Sequence, residues 1–303
     1  MNVRGEASRS LAAVPGKRRA MIDLARDIER RGYPGIYCPS IGDGLALSEA
    51  IALVTERIEI ATAISPIYFR QAAEYAQTVA FIHEISGGRF RFGIGVSHRP
   101  ALAPRGLDGG KPLADTRAFV AQLRATPRVG ELPPVILATL REKMIRLAAE
   151  IGDGMIFANG ARSHMSQSLA ALPDATRSDP AFFIGNMIPT CIDDDLDAAR
   201  AVNRKTLTRY ALLPNYRNYW KASGYADEMN AVEACIAANN PDGVAACLTD
   251  RWLDDTTIAG PASRVRDEVG KWFDAGITTP ILVPSSTRGG QLQAFNELFA
   301  VFG

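Results

Sequence analysis

The stretch ISGGRFRFGIGVSHRP, residues 85–100, carries the clearest structural signal in the chain. Its Ser86-Gly87-Gly88 segment is typical of a helix end, because glycine adopts the left-handed conformation that stops a helix. Residues 90–96 are apolar apart from Arg91, and the run is too short for a helix, which indicates a buried strand. The strand ends at the polar tip Ser97-His98-Arg99-Pro100. A buried strand with such a tip is how an α/β barrel displays a catalytic site.

The same pattern of helix, glycine and short apolar strand recurs along the chain. Predicted helices at 21–31, 142–151 and 262–275 are each followed by glycine and by a strand, at 35–40, 155–158 and 280–284. Further strands are predicted at 58–65, 90–97, 134–140 and 182–191. Repetition of this unit favours a parallel sheet with outer helices. We therefore predict an α/β fold, a TIM (β/α)8 barrel forming one domain over residues 1–303, with a short or degenerate first strand at residues 2–6.

Two regions interrupt the repeat. Residues 193–255 read as helical throughout and are rich in tyrosine and tryptophan, so we predict a helical insertion between the last two strands. Two roles are open for this insertion: simple packing over the barrel, or a function as a substrate lid or dimer surface. The loop at 101–111 is rich in glycine and proline and follows the polar tip. We expect it to be mobile and able to close over a ligand.

The composition excludes several classes of protein. Hydrophobic residues make up 47% and charged residues 22% of the 303 residues, as in an ordinary globular protein. The formal net charge of +1 favours neither nucleic acid nor an acidic membrane as a partner, and no apolar run is long enough to span a membrane. Because the sequence shows neither a membrane-spanning run nor a signal-like segment, we expect a cytoplasmic protein. The cysteines lie far apart in sequence without a CxxC pair and the histidines are scattered, so we expect reduced thiols and no metal site.

Taken in order, these features resemble the bacterial luciferase-like monooxygenase superfamily, in its branch of F420-dependent oxidoreductases similar to methylene-tetrahydromethanopterin reductase. The resemblance runs through residues 24–40, 55–66, 70–100, 133–160 and 258–284, and SGGRFxxGIGxSHRP is its most specific element. It implies a barrel that holds coenzyme F420, or alternatively FMN, at the carboxyl ends of its strands. It also implies hydride transfer to or from a small-molecule substrate, and a homodimer.

The resemblance further implies which residues contact the cofactor. It places a non-proline cis peptide bond between Ala63 and Ile64, against the cofactor ring. The phosphate of the cofactor tail is expected near residues 138–140 and 158–160, where a helix begins after a strand and free backbone amides suit an anion. A solvent-facing Ser65 and a plain turn at Asn159 are the open alternatives. The full expected set is Ser40, Ala63, Ile64, Ser65, Gly95, Ser97, Ala138, Thr139, Leu140, Ala158, Asn159 and Gly160.

His98 is the candidate catalytic residue. Histidine titrates near neutral pH and can give or take a proton while a hydride moves; the alternative is a structural histidine bonded to a loop carbonyl. Arg99 beside it is the candidate substrate-binding residue, because a guanidinium binds anions, although a salt bridge on the rim would explain it equally.

Ser40 and Ile41 mark a departure from the family pattern. Many F420-dependent relatives end this strand with an Asp-His pair, whose histidine acts as acid or base. Without that pair, a reductase is favoured over an alcohol-oxidising enzyme. An FMN-dependent monooxygenase that uses reduced flavin and oxygen, and a non-catalytic cofactor-binding barrel, are the alternatives.

Overall fold

The computed structural model describes residues 7–303, and these divide into two compact units. The N-terminal unit holds residues 7–157 and 171–185, and the C-terminal unit holds Ala158–Ala170 and Asn186–Gly303. That a single domain spans residues 1–303 stays a prediction. Within residues 7–303 the strands are β1 Ser8–Ser10, β2 Gly35–Cys38, β3 Glu59–Thr62, β4 Ser65–Pro66, β5 Phe90–Gly95, β6 Val135–Ala138, β7 Gly154–Ala158, β8 Phe183–Ile192, β9 Ile258–Gly260 and β10 Thr279–Ser285.

Helices alternate with these strands along the chain, and the predicted helices lie within a few residues of the observed ones. They are α1 Arg18–Arg30, α2 Gly44–Val54, α3 Ala72–Ile85, α4 Arg99–Leu102, α5 Pro112–Arg124, α6 Glu142–Ile151, α7 Met165–Leu169, α8 Asp174–Ser178, α9 Leu196–Ala211, α10 Pro214–Ala222, α11 Ala226–Ala237, α12 Asp250–Thr256, α13 Ala262–Asp274 and α14 Gln291–Phe302.

In the N-terminal unit the strands are parallel, in the order β1-β2-β3-β5-β6-β7, and β4 pairs with β5. Helices cover the connections, since parallel neighbours need a crossover. Helix α1 shows why the sequence folds this way, because its buried residues Met21, Leu24, Ala25 and Ile28 recur at helical spacing and form one apolar face. Strand β2 is buried along its whole length.

The opening stretch folds as predicted from residue 85 to residue 95. Helix α3 ends at Ile85, and Gly87 and Gly88 have φ angles of 64° and 82°, which side chains rarely adopt. Arg89 then ties the turn to the preceding strand connection by donating to the carbonyls of Ser86, Ile58 and Thr55. Arg91, the one charged residue of β5, pairs with Glu59 on β3.

The predicted first strand at residues 2–6 lies outside the described residues. The first described strand is β1, and its three residues confirm that the strand is short. All three are buried, including Arg9, whose guanidinium stacks 4.0 Å from the centre of the Tyr33 ring and donates to the carbonyl of Ala7 at 2.5 Å. A polar triplet can therefore form a core strand because its charge is held by these neighbours.

In the C-terminal unit, β8 pairs with β9 in parallel and also with β10. Residues 193–255 are largely helical, as predicted. Helix α9 begins at Leu196, and the carboxylate of the preceding Asp195 caps the backbone amides of Asp197 and Ala198. The three-residue strand β9 follows the insertion and was not predicted from the sequence. No described helix in residues 7–303 has the length and apolar character needed to cross a membrane.

Candidate active site at the strand ends

The predicted residues of the N-terminal unit lie at the carboxyl ends of adjacent parallel strands. Ser40 follows β2, Ala63 and Ile64 join β3 to β4, and Ser65 begins β4, while Ala138 ends β6. Because β2, β3, β5 and β6 are successive neighbours, their carboxyl ends form one edge of the sheet. The structure thus brings these segments to the same edge, together with the residues after β5, namely Gly95, Ser97, His98 and Arg99.

Three predicted cofactor residues form a closely packed group. A β-carbon added to Gly95 would lie 2.9 Å from Ala138 Cβ and 3.0 Å from Ile64 Cδ1, so the backbone of Gly95 lies against both side chains. We name Ile64, Gly95 and Ala138 the strand-end cradle. Gly93 has a different explanation, because its added β-carbon would lie 1.9 Å from the backbone oxygen of Thr62. Glycine at 93 permits close contact with the backbone of β3, and glycine at 95 permits close contact with the side chains of Ile64 and Ala138.

The peptide bond between Ala63 and Ile64 is cis, which confirms the prediction for this bond. The amide of Ala63 donates to the carbonyl of Cys38 at 2.7 Å. Ser65 is buried and belongs to β4, where it pairs with Ile94. The alternative of a solvent-facing Ser65 is therefore wrong.

The tip of the opening stretch has an unusual backbone and a half-buried histidine. Ser97 has a φ angle of 61°, in the left-handed region that non-glycine residues seldom occupy. The backbone carbonyl of His98 accepts from the amides of Ala101 and Leu102, which starts helix α4. Burial lowers the pKa of the His98 imidazole below its usual value, so the ring is neutral near pH 7. Arg99 is exposed at the first position of α4.

Thr139 is the clearest sign of a ligand at this edge. Its side chain is 5% exposed, and its hydroxyl has no hydrogen-bond partner among residues 7–303. Its backbone amide donates to the carbonyl of Ile156, so the residue is fixed in place. Buried hydroxyls are nearly always hydrogen-bonded, and an unpaired one at a predicted binding site suggests a missing partner. Leu140 follows, half-buried, and α6 begins at Glu142 as predicted.

The end of β7 belongs to the C-terminal unit, where Asn159 is held on several sides. It has a φ angle of 57°, its amide donates to the carbonyl of Met187, and its carbonyl accepts from the Trp220 indole at 3.1 Å. These bonds give Asn159 a structural role. Contact of Ala158, Asn159 and Gly160 with a cofactor tail stays a prediction.

The aromatic residues of the helical insertion explain this geometry. Tyr216, Tyr219, Trp220 and Tyr225 are buried, and the ring of Trp220 packs against that of Trp252 with centroids 4.7 Å apart. The Tyr219 hydroxyl accepts from the amide of Ala161 at 3.0 Å. Of the roles left open for the insertion, these contacts support packing and positioning of the loop at 159–161.

Contacts made by residues that the sequence analysis did not identify hold the loop at 101–111 in place. The Tyr68 hydroxyl donates to Asp115 Oδ2 at 2.7 Å and accepts from the amide of Gly110 at 3.3 Å. The guanidinium of Arg105 lies 4.5 Å from the centre of the Phe69 ring. We name Tyr68 and Asp115 the loop latch. Tyr68 lies three residues past a predicted strand end, a position where it could have been suspected, but nothing local points to Asp115.

Neither residue that replaces the relatives' Asp-His pair offers acid-base chemistry. Ser40 is exposed, and Ile41 is 65% exposed. Elsewhere, His83 is buried with its Nδ1 3.2 Å from the carbonyl of Phe90, which is a structural role. Within the described residues no group of three or more His, Cys, Asp or Glu side chains could hold a metal ion.

Comparison with known proteins agrees with this architecture. The 5,10-methylenetetrahydromethanopterin reductase of Archaeoglobus fulgidus is 26% identical over 257 residues, which are 75% of this chain and 77% of that protein. The coenzyme F420-dependent tetrahydromethanopterin reductase of Methanopyrus kandleri superposes with a TM-score of 0.75 and 14% identity, over 97% of each chain. The oxygenating constituent of 3,6-diketocamphane monooxygenase from Pseudomonas putida, solved with FMN, gives a TM-score of 0.57 and 14% identity, over 93% of this chain and 91% of that chain.

The structural likeness confirms the predicted fold class, a TIM (β/α)8 barrel. Residues 4–279 match the family described as luciferase-like monooxygenase, a match that covers most of the chain. The chain therefore belongs to the luciferase-like monooxygenase family.

Proposed function

We propose that the protein is an F420-dependent oxidoreductase that transfers a hydride between the deazaflavin cofactor and a small organic substrate, acting as a reductase. The observation that carries the proposal is the buried, unpartnered hydroxyl of Thr139 at the same sheet edge as the strand-end cradle. The Methanopyrus structure is named as an F420-dependent reductase and the Archaeoglobus relative as a reductase, which supports F420-dependent reduction on this fold.

The residues at the strand ends fit such a cofactor. Gly95 packs directly against Ile64 and Ala138, and the flat cofactor ring is proposed to lie against this cradle. The Thr139 hydroxyl would bond a polar atom of the tail, near the first turn of α6, whose amides favour an anion. When bound, the deazaflavin supplies the hydride, and the protein supplies orientation and electrostatics.

His98 is proposed to handle the proton that accompanies the hydride. Its neutral imidazole near pH 7 has one ring nitrogen free of a proton, which can accept one, and the other can donate. Arg99, exposed beside it, would attract an anionic group of the substrate. Because Ser40 and Ile41 cannot act as acid or base, the proposed direction is reduction of the substrate.

A second candidate is an FMN-dependent monooxygenase that uses reduced flavin and oxygen. The observation in its favour is the structural likeness to the Pseudomonas protein solved with FMN. The proposal also includes a homodimer, which light scattering coupled to size-exclusion chromatography would test.

Parallel titrations with F420 and FMN test the cofactor. We expect F420 to bind at least about tenfold more tightly than FMN, and reduced F420 to be reoxidised with some member of a panel of unsaturated and carbonyl compounds. Binding of FMN without binding of F420 would overturn the proposal in favour of the monooxygenase. Tight F420 binding with no turnover on any substrate would favour a non-catalytic barrel.

A matched pair of variants tests the site itself. Thr139→Val removes the unpartnered hydroxyl and should weaken F420 binding by about 2- to 10-fold, the worth of one hydrogen bond. Thr116→Val is the control, because Thr116 is also buried with a hydroxyl that lacks a partner among residues 7–303, but lies on α5 away from the strand ends. Equal affinities in both variants would remove Thr139 from the site.

A further inference from the structure

Two cysteines that lie apart in sequence meet in the C-terminal unit. Cys235 is near the end of α11, and Cys247 ends a short 3-10 turn before α12. Their sulfur atoms are 3.6 Å apart, and both side chains are partly exposed. The other cysteines, Cys38 and Cys191, are buried and belong to separate strands.

The turn between the two cysteines is well ordered by hydrogen bonds. The amide of Asn240 donates to the carbonyl of Cys235 at 2.9 Å, and the Asn240 side chain caps the amide of Gly243 at 3.1 Å. A β-carbon on Gly243 would lie 3.2 Å from the sulfur of Cys235, so a side chain there would crowd this thiol. Val244 and Leu248, on either side of Cys247, are fully buried and anchor its backbone. The short distance between the two sulfur atoms is therefore a consequence of the backbone conformation of this turn.

The surroundings leave the pair open to a small reagent. Residues 236–242 are all exposed, so solvent reaches the loop that the two cysteines close. The sulfur atoms need to move closer by roughly 1.5 Å to reach bonding distance, a change that side-chain rotation can supply.

We propose that Cys235 and Cys247 form a redox-active dithiol, which a two-electron oxidant of the peroxide class converts to an intramolecular disulfide. This inference does not depend on the proposed hydride-transfer function. It also departs from the expectation from the sequence that the cysteines are reduced thiols.

The two sulfur atoms have different roles in this reaction. The Cys247 thiol donates to the carbonyl of Gly243 at 3.5 Å, and burial raises its pKa, so it keeps its proton. This hydrogen bond assigns Cys247 as the second, resolving thiol, so the first attack is assigned to the sulfur of Cys235. Its thiol loses its proton, the sulfur attacks one peroxide oxygen and the O–O bond breaks, which leaves a sulfenic acid on Cys235. The departing hydroxide takes up the proton that Cys235 released and leaves as water. The sulfur of Cys247 then attacks the sulfenic sulfur, the S–O bond breaks, and a second water leaves with the proton of Cys247. In total two thiols lose two hydrogens and two electrons, and one hydrogen peroxide becomes two waters.

Oxidation of the folded wild-type chain with stoichiometric hydrogen peroxide tests the proposal. We expect the mass to fall by two hydrogen atoms, a peptide map to join Cys235 to Cys247, and dithiothreitol to reverse both changes. A map that joins any other pair, or a chain that gains oxygen without losing hydrogen, would refute the dithiol. This part of the test needs no variant, so a folding defect cannot obscure it.

Single variants assign the attacking sulfur. Cys247→Ser should leave a sulfenic acid on Cys235 that dimedone traps, whereas Cys235→Ser should show little dimedone adduct. Cys38→Ala is the matched control, and it should form the disulfide as the wild type does. Dimedone labelling of Cys247 in the Cys235→Ser variant, at the rate seen for Cys235, would refute the assignment.

Discussion

Replacement of Trp220 by phenylalanine should destabilise the protein more than the same change at Trp252. Both tryptophans are fully buried and pack against each other, so the loss of ring volume is similar at the two sites. The Trp220 indole donates to the carbonyl of Asn159, whereas the Trp252 indole nitrogen has no partner among residues 7–303. Trp220→Phe therefore leaves a buried carbonyl unpaired, and Trp252→Phe removes a donor that was already unpaired.

The magnitude follows from the cost of an unpaired buried acceptor, which is about 1 to 3 kcal/mol. The packing cost cancels in the comparison, so the difference in unfolding free energy between the two variants should fall in this range. With a urea m-value of about 3 kcal/mol/M, the unfolding midpoint of Trp220→Phe should lie roughly 0.3 to 1 M below that of Trp252→Phe.

Urea unfolding followed by far-ultraviolet circular dichroism measures this difference without relying on tryptophan fluorescence. Equal m-values in the two variants would show that the midpoints compare stability alone. If the midpoints coincide, or if Trp252→Phe is the less stable variant, the stabilising role given to the hydrogen bond between the Trp220 indole and Asn159 is refuted.

The remaining predictions concern His98 and the loop latch. His98→Ala should keep cofactor affinity and lower turnover by about 10²- to 10⁴-fold, as for a lost general acid or base; unchanged turnover would return His98 to a structural role. Because burial lowers the pKa of His98, the unfolded chain binds more protons than the folded chain between that lowered pKa and the unfolded value of about 6.5. Stability is therefore lost as the pH falls through this window, and acid should destabilise the wild type more than His98→Asn. Urea midpoints measured between neutral and acidic pH check this, and parallel curves would contradict it. Tyr68→Phe breaks the hydrogen bond to Asp115 and should speed proteolysis within residues 101–111 by about 2- to 10-fold, while the global unfolding midpoint stays unchanged. Since burial and Asp115 raise the pKa of Tyr68 to about 12, the wild-type loop latch should stay formed across the neutral pH range.

Much of the fold was predictable because it depends on local signals. Glycines that end helices and short apolar runs that follow them located β2, β5 and β10 within a few residues. Strand β1 was not predictable in the same way, because Ser8-Arg9-Ser10 looks like a surface segment. Its burial depends on Tyr33, whose ring covers the guanidinium, and no local pattern reports that contact.

The candidate site also contains features that the sequence predicts and features that it does not. Thr139, Ile64 and Gly95 lie near the carboxyl ends of predicted strands, so parallel topology alone brings them to one edge. The two residues of the loop latch are 47 positions apart in sequence. The two cysteines of the dithiol come close only because of the turn between them, whose shape depends on the capping hydrogen bond of Asn240. Such contacts depend on the geometry of loops, which composition and periodicity do not specify.

The hydrogen bonds between the insertion and the loop at 159–161 can form only after the insertion has been translated. Asn159 and Ala161 leave the ribosome about 60 residues before the side chains that complete their hydrogen bonds, Trp220 and Tyr219. A nascent chain that ends before residue 219 therefore has this turn without its aromatic partners. The final shape of the loop has to wait until the insertion has been translated, although the strand that leads into it is already complete.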